Sequence, residues 1–341
     1  MAFSPVVDVF TTNGYFSDEI ALIPYEDVAL LHEKIRAYAS FDALFLITDK
    51  VILEGLERNL TDSFSLRFEK GIAAYGKTHI CIVSADEEGK RRAQEEIVPY
   101  LNGVFSNRYD KMVLRFVGAP QETVKDAIDR AYAVSGDALS YHFSDRYADQ
   151  RLEVFYDAVT PKMLADEVMR ILLGALDDYV YALDDTPLEK RVYEGLVLRK
   201  KKLSVCESFT GGRISARMVS VPGVSAVYFE GITAYANEAK EERLSVHRET
   251  LRQFGAVSSR TAHEMAEGLL SSGHCNICVA TTGIAGPKSD DTKKPVGLCY
   301  IAAGTDEKIF VDEYVFKGDR ETVTETAVNF ALFSLFKVLK N

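Results

Sequence analysis

The residues best suited to chemistry surround one short turn, Glu207-Ser208-Phe209-Thr210-Gly211-Gly212. An apolar run at 203–206 precedes the turn, and a helical pattern of apolar residues follows it. A strand, a turn and a helix in this order direct free backbone N–H groups at the space above the turn. Paired glycines also let a ligand approach the backbone closely. The sequence therefore predicts a ligand-binding turn, with an ordinary strand–helix connection capped by Thr210 as the alternative.

This part of the chain contains four candidate nucleophiles, Cys206, Ser208, Thr210 and Ser225. A serine needs a neighbouring base because its hydroxyl is barely ionised at neutral pH. Three histidines occur in the region, but none lies in a Gly-rich turn. Lys240 follows a polar turn, and a lysine that burial makes neutral can accept a serine proton, with Tyr235 relaying or orienting. The alternative for Lys240 is a solvated lysine at a helix start.

Composition argues against several classes of protein. The 341-residue chain carries a formal net charge of −11, which disfavours a nucleic-acid binder. No run approaches the roughly 18 apolar residues of a membrane span, and the N-terminus lacks a signal pattern, so we expect a cytoplasmic protein. The five cysteines lie mostly in apolar runs, and Cys275-x-x-Cys278 has no second pair. Buried reduced thiols are therefore expected, without a metal site.

A chain of this length predicts two or three domains. Residues 1–108 read as an α/β unit with buried strands at 42–47 and 78–83. Residues 109–188 alternate strand, helix, strand and helix, as a small α+β unit does. Residues 189–341 alternate strands with helices, which predicts a three-layer α/β/α sandwich.

Polar turns in this last section coincide with predicted strand ends, at 208–210, 235–237 and 282–284. Ligands usually bind at the carboxyl ends of strands in open α/β sheets, so we expect these turns to form one site. Arg320, at the start of the last helix, has the geometry to pair with a phosphate.

Seven motifs in order carry a resemblance to a known family. They are Glu207-Ser208-Phe209-Thr210-Gly211-Gly212, Pro222-Gly223-Val224-Ser225, Tyr235-Ala236-Asn237-Glu238-Ala239-Lys240, Gly255-Ala256-Val257-Ser258, Thr282-Gly283-Ile284-Ala285-Gly286-Pro287, Lys294-Pro295-Val296-Gly297 and Gly318-Asp319-Arg320. Residues 189–341 thereby resemble the C-terminal domain of the competence/damage-inducible protein A (CinA) family. The middle section resembles the small KH-like domain of full-length CinA proteins.

The resemblance implies an enzyme of pyridine nucleotide salvage, which hydrolyses nicotinamide mononucleotide (NMN) to nicotinate mononucleotide and ammonia without a cofactor. Its catalytic residues would be Ser225 as nucleophile, Lys240 as base, Tyr235 and Ser208, with either serine open as the attacking group. Its substrate-binding residues would be Thr210, Gly211, Gly212, Asn237, Thr282, Gly283 and Arg320. The phosphate would lie at 210–212, Gly283 and the loop after it would donate N–H groups to the oxyanion, and the protein would be a homodimer.

The sequence also departs from the family pattern. Phe209 stands where the family usually has cysteine, Val224 where it has a serine, and Ala236 where it has a serine. Full-length relatives begin with a molybdopterin-binding-like domain associated with ADP-ribose pyrophosphatase activity, whose phosphate loop is rich in glycine. The equivalent strand end at 48–52 lacks those glycines, which predicts a degenerate domain. A nucleotide-binding scaffold without turnover and a residual pyrophosphatase are the alternative functions.

Overall fold

The computed structural model describes residues 4–15, 19–24, 26–105, 109–288 and 294–340. The chain forms two compact units. The first comprises residues up to Lys111 together with Tyr156–Thr160, and the second comprises Met112–Phe155 and the chain from Pro161 onward. Most of the predicted middle section therefore lies in the same unit as the C-terminal section. The division into three domains stays a prediction.

The first unit is built around a three-stranded sheet in the order β1-β3-β2. Its elements are α1 (Ser4–Thr12), α2 (Val28–Ala37), β1 (Ala43–Thr48), α3 (Lys50–Phe64), β2 (Ile72–Tyr75), β3 (Thr78–Ser84), α4 (Glu87–Arg92) and α5 (Val98–Val104). The predicted strands pair in parallel as β1 and β3, whereas the short β2 was not predicted. Directly after β1, the side chain of Asp49 accepts a hydrogen bond from the Val51 N–H and so caps the start of α3.

The middle section forms a four-stranded sheet in the order β5-β6-β4-β7. Its elements are β4 (Tyr109–Val117), α6 (Gln121–Ser135), β5 (Leu139–Arg146), β6 (Asp149–Asp157), α7 (Lys162–Leu176) and β7 (Val180–Ala182). The predicted strand–helix–strand–helix pattern is present but incomplete, because β5 and β7 were missed. In β5, Leu139, Tyr141 and Phe143 alternate with polar residues, but only Leu139 is buried and the last three residues are polar and exposed, so the signal of this strand is weak.

The C-terminal section contains a five-stranded sheet in the order β12-β11-β10-β8-β9. Its elements are α8 (Leu188–Leu198), β8 (Leu203–Glu207), α9 (Arg213–Val219), β9 (Tyr228–Thr233), α10 (Asn237–Leu244), α11 (Arg248–Phe254), α12 (Ser259–Ser271), β10 (Ile277–Gly283), β11 (Leu298–Gly304), β12 (Ile309–Val315) and α13 (Arg320–Lys340). Strand β8 pairs in parallel with β9 and β10, whereas β11 and β12 are antiparallel.

Helices cover both faces of this sheet, which confirms the predicted three-layer sandwich. Side chains of α8, α9 and α13, such as Leu196, Ile214 and Leu332, bury one face. Leu244 of α10 and Met265 of α12 bury the other. Helix α13 is long and apolar enough to cross a membrane by length and composition alone, but most of its apolar side chains lie in this core.

The middle sheet packs directly against α13. Gly118 has a positive φ of 71°, and a Cβ there would lie 2.4 Å from Phe330 Cζ, so only glycine fits. Asn329 donates a hydrogen bond to the Tyr147 carbonyl and accepts one from Arg217 of α9. The second unit is therefore continuous from the middle sheet to the sandwich.

Candidate active site

The parallel pairing of β8, β9 and β10 brings three strand ends to one edge of the sheet. Glu207, the last residue of β8, is level with Thr233 of β9 and Thr281 of β10. Ser208 comes next, and its N–H donates to the Thr281 carbonyl at 3.0 Å. The polar turns that follow the three strands are thus neighbours, as their positions after apolar runs predict.

Ser208 and Lys240 meet at this edge. The Lys240 Nζ lies 3.2 Å from Ser208 Oγ, and it also donates to the carbonyls of Ala234 (2.8 Å) and Tyr235 (3.0 Å). Both side chains are buried, with Lys240 1% and Ser208 7% exposed. Lys240 reaches this position from the first turn of α10, which follows β9 directly.

The surroundings of Lys240 favour its neutral form. Burial lowers the pKa of the Lys240 amine below its ordinary 10.5, although the nearby Cys206 thiol acts in the opposite direction. A neutral amine has two N–H donors and one lone pair. Because the two backbone carbonyls can take both donors, the lone pair is left for the hydroxyl of Ser208. This arrangement is suited to removing a proton from a serine.

Ser225 lies at the other end of the sheet from Lys240. It is exposed in a short 3₁₀ turn, Val224–Ala226, that precedes β9, and β9 begins level with Leu203 at the start of β8. Five to six strand residues at about 3.3 Å each separate it from the Ser208 edge by about 17 to 20 Å. Within one chain, the Ser225–Lys240 pair implied by the family resemblance is therefore not formed, and Lys240 faces Ser208 instead.

The glycine turn does not offer the free N–H groups expected of a phosphate site. The buried carboxylate of Glu207 accepts the N–H groups of Gly212 (3.0 Å), Ile214 (3.1 Å) and Ser215 (2.9 Å). Gly211 donates to the Ser208 carbonyl. Both glycine N–H groups are therefore already paired, and within the predicted phosphate position at 210–212 only the Thr210 N–H has no acceptor among the described residues.

Thr210 does not cap α9 either, which was the alternative to its role in substrate binding. Its hydroxyl is fully buried against the Thr281 hydroxyl at 2.8 Å, and Glu207 serves as the cap of α9 instead. Sequence reasoning missed Glu207. The signal was available: an acidic residue ends an otherwise apolar strand, and no Ser, Thr, Asp or Asn stands at the N-cap, Gly212.

Arg320, Tyr235 and Asn237 lie near the rim of the same edge. Arg320, the first residue of α13, donates to the Gly286 carbonyl (2.8 Å) and to the Tyr235 hydroxyl (3.3 Å). Tyr235 is 62% exposed, and its carbonyl is one of the two that hold Lys240. Asn237 is exposed at the start of α10, one turn before Lys240. These residues remain candidates for contacting a substrate.

Thr282 and Gly283 have packing and hydrogen-bonding roles next to the site. The Thr282 hydroxyl donates to the Ala256 carbonyl at 2.7 Å and is buried. A Cβ on Gly283 would lie 2.6 Å from Cys299 Cβ and 2.9 Å from the Phe209 ring. In the following loop, the Ile284 N–H donates to the Leu298 carbonyl, so it is not free for an oxyanion.

Replacing Phe209 with alanine is expected to lower the free energy of unfolding by about 3 kcal/mol, because it would leave a cavity. The ring is 5% exposed and packs against Ala285, Cys299, Val323 and Ala327. Urea unfolding of the variant and of Phe310→Ala, whose side chain is 45% exposed, measures the difference. Equal losses in the two variants would contradict the assigned packing role of Phe209.

A separate cavity of about 580 Å³ lies at the opposite end of the sheet from Ser208. The end of α10, one face of α12 and the β11–β12 turn line it, including His247, His263 and Glu267. Gly304, the last residue of β11, pairs with Cys278 near the start of β10. The β11–β12 turn that follows Gly304 therefore lies at the end of the sheet away from Ser208. The cavity therefore contributes nothing to the Ser208 site.

The fold and the site define an α/β sandwich protein with a buried serine–lysine pair at the carboxyl ends of parallel strands. Residues 185–339 match the family of the CinA C-terminal domain. The chain is 34% identical over 268 residues to a protein of Caldicellulosiruptor saccharolyticus described as "competence-damage inducible", covering 78% of this chain. A protein of Clostridium acetobutylicum with the same description is 35% identical over 238 residues, or 68% of this chain. The chain belongs to the CinA family.

The chain spans 65% and 57% of the lengths of these two curated relatives. Among solved structures, a CinA superfamily protein from Klebsiella pneumoniae is 33% identical with a TM-score of 0.44, covering 45% of this chain and 96% of that one. A competence/damage inducible protein from Agrobacterium tumefaciens is 36% identical with a TM-score of 0.44, covering 45% and 94%.

Proposed function

We propose that this protein is an amidohydrolase that converts NMN to nicotinate mononucleotide and ammonia. The observation that supports it best is the 3.2 Å contact between Ser208 Oγ and the buried amine of Lys240, whose pKa burial lowers. This pair suits acyl hydrolysis in general. The choice of NMN rests on the family resemblance, because the printed names of the relatives give no substrate.

In the proposed reaction Ser208, rather than Ser225, attacks the carboxamide carbon while Lys240 accepts the hydroxyl proton. The tetrahedral intermediate collapses as Lys240 returns the proton to the leaving nitrogen, so ammonia departs and an acyl-enzyme remains. Water then attacks the ester with Lys240 again as the base, and Ser208 leaves with the proton as the acid product forms.

The N–H groups of Phe209 and Thr210 are the proposed donors to the oxyanion. As far as the described residues show, these two alone in the turn 208–212 donate no hydrogen bond. The residue directly after a nucleophile often serves in this way. They replace the loop after Gly283, whose Ile284 N–H is already paired.

Ammonia release from NMN by the purified protein tests the proposal. The expected result is one ammonia for each nicotinate mononucleotide formed, without added metal. NMN binding without any ammonia would overturn the proposed enzyme and favour the nucleotide-binding scaffold. We also propose that the protein acts in the cytoplasm as a homodimer, with the small nucleotide as its partner rather than nucleic acid or membrane.

Replacing Arg320 with glutamine is expected to raise KM for NMN at least about tenfold, because arginine pairs bidentately with phosphate. The guanidinium is exposed and has donors beyond those used for Gly286 and Tyr235. Turnover of nicotinamide riboside, which lacks the phosphate, should change little. Arg252→Gln, at an exposed ion pair on α11, is the control. Equal losses for both substrates would mean that Arg320 acts only by holding the Gly286 loop.

A further inference from the structure

We propose that Glu207 is a positioning residue for the Ser208–Lys240 pair. Its hydrogen bonds connect the turn that begins with Ser208 to the backbone carbonyl that accepts the Lys240 amine. The inference rests on the proposed function in taking Ser208 and Lys240 as the reacting groups. It adds a residue whose side chain, among the described residues, is hydrogen-bonded to neither of theirs.

The side chain of Glu207 fixes the start of α9. Oε2 accepts the Gly212 and Ile214 N–H groups, and Oε1 accepts both the N–H (2.9 Å) and the hydroxyl (2.7 Å) of Ser215. The residue is 0% exposed. Four hydrogen bonds on one carboxylate therefore fix the end of the turn 208–212 where α9 begins. Ser208 is the first residue of that turn.

The main chain of Glu207 is hydrogen-bonded to Ala234, whose carbonyl is an acceptor for the Lys240 amine. The Glu207 carbonyl accepts the Ala234 N–H at 2.9 Å, and the Ala234 carbonyl accepts the Lys240 Nζ at 2.8 Å. Ser208 is bonded to Glu207 covalently. Glu207 thus fixes both the position of Ser208 and that of the Ala234 carbonyl, which holds Lys240. A displacement of Glu207 would therefore change the distance between Ser208 Oγ and Lys240 Nζ.

The charge on Glu207 is compensated by backbone N–H groups rather than by a cation. Among the described residues no Lys, Arg or His forms an ion pair with it, and the start of α9 supplies the partial positive charge. Glutamine has the same shape but would present an NH₂ group to some of these donors. Glu207→Gln therefore disturbs the turn without emptying the site.

Glu264 provides a matched control in the same unit. It is 3% exposed and accepts hydrogen bonds from the His247 N–H (3.0 Å), the Thr250 hydroxyl (2.8 Å) and Arg260 Nε (2.8 Å). Glu264 lies within α12, and its buried carboxylate accepts donors at the start of the short helix α11, as that of Glu207 does at α9. It differs in also forming an ion pair with Arg260. Glu264→Gln removes a comparable set of bonds without touching the Ser208 turn.

The experiment compares Glu207→Gln with Glu264→Gln by steady-state kinetics on NMN, thermal melting and labelling of Ser208 with a fluorophosphonate. In labelling, the Ser208 Oγ–P bond forms, the P–F bond breaks, fluoride leaves and Lys240 takes the proton. For Glu207→Gln we expect kcat and the labelling rate to fall at least about tenfold, with KM within about twofold. For Glu264→Gln we expect a lower melting temperature, with kcat and labelling within about twofold.

Wild-type kcat and labelling in a folded Glu207→Gln variant would overturn the inference, as would an equal kcat loss in Glu264→Gln. If the wild type labels at Ser208 but releases no ammonia from NMN, the proposed function fails, and slower labelling of Glu207→Gln still supports the positioning role. If the wild type is labelled no faster than Lys240→Met, Lys240 does not activate Ser208. That result would overturn both the proposed function and the positioning role of Glu207. Should Glu207→Gln not fold, Glu207→Asp, which keeps the charge but is shorter by one methylene, takes its place.

Discussion

Replacing Ser208 with alanine is expected to abolish ammonia release from NMN, lowering kcat by at least about 10⁴-fold with little change in KM. The reason is that the variant lacks the oxygen that lies 3.2 Å from the Lys240 amine. Lys240 keeps its two backbone acceptors, Ala234 and Tyr235, so the fold should be retained. Single-turnover kinetics and thermal melting measure the two effects separately.

Ser225→Ala is the matched control for this prediction. Ser225 is exposed at the opposite end of the sheet, so its variant should turn over NMN at close to the wild-type rate. The reverse result, an inactive Ser225→Ala and an active Ser208→Ala, would restore the original assignment of the nucleophile. It would also require Ser225 to come from a second copy of the chain.

Replacing Lys240 with methionine is expected to lower kcat by about 10³-fold, the usual contribution of a general base. Methionine keeps much of the apolar stem but removes the amine. The wild-type rate should rise with pH through the lowered pKa of Lys240 and then level off, because the neutral amine is the active form. The variant should lose this rise. A pH–rate profile of each protein makes the comparison, and an unchanged rise in Lys240→Met would exclude Lys240 as the base.

The same pKa shift predicts a dependence of stability on pH. The unfolded chain binds a proton on Lys240 below its ordinary pKa of 10.5, whereas the folded chain binds it only below the lowered value. Stability from this group is therefore complete above about 10.5 and decreases as the pH falls towards the folded pKa. Lys240→Met should lack that decrease, which urea unfolding at several pH values can detect.

The sequence predicts the sandwich well where its periodicity is strong. The apolar residues Ala262, Met265, Ala266 and Leu269 recur with a helical period, which predicts a helix at 259–271, and α12 occupies Ser259–Ser271. An apolar-rich run predicts a strand at 309–315, and β12 occupies Ile309–Val315, although none of its residues is fully buried. The prediction fails at β2 and β5. The first is only four residues long, which is too short for a clear pattern. The second has a short alternation at Leu139, Tyr141 and Phe143, but most of its residues are exposed and its last three are polar, so the alternation is easily overlooked.

The candidate site is predictable only in part. Polar turns after apolar runs identify the carboxyl edge and include Ser208 and Lys240. Which serine faces the lysine depends on β9 lying parallel beside β8, and this pairing cannot be read from local patterns. The role of Glu207 depends on where its side chain turns after the strand ends. Both are properties of the packed structure rather than of any single segment.

The burial of every thiol has a consequence for how the protein responds to oxidants. All five cysteines are free and buried, and burial raises the pKa of each, to about 12 for Cys206, which directly precedes Glu207. The residue directly after Ser208 is Phe209 rather than a cysteine. No thiolate is therefore expected beside Ser208, and the proposed chemistry should be indifferent to the redox state of the surroundings.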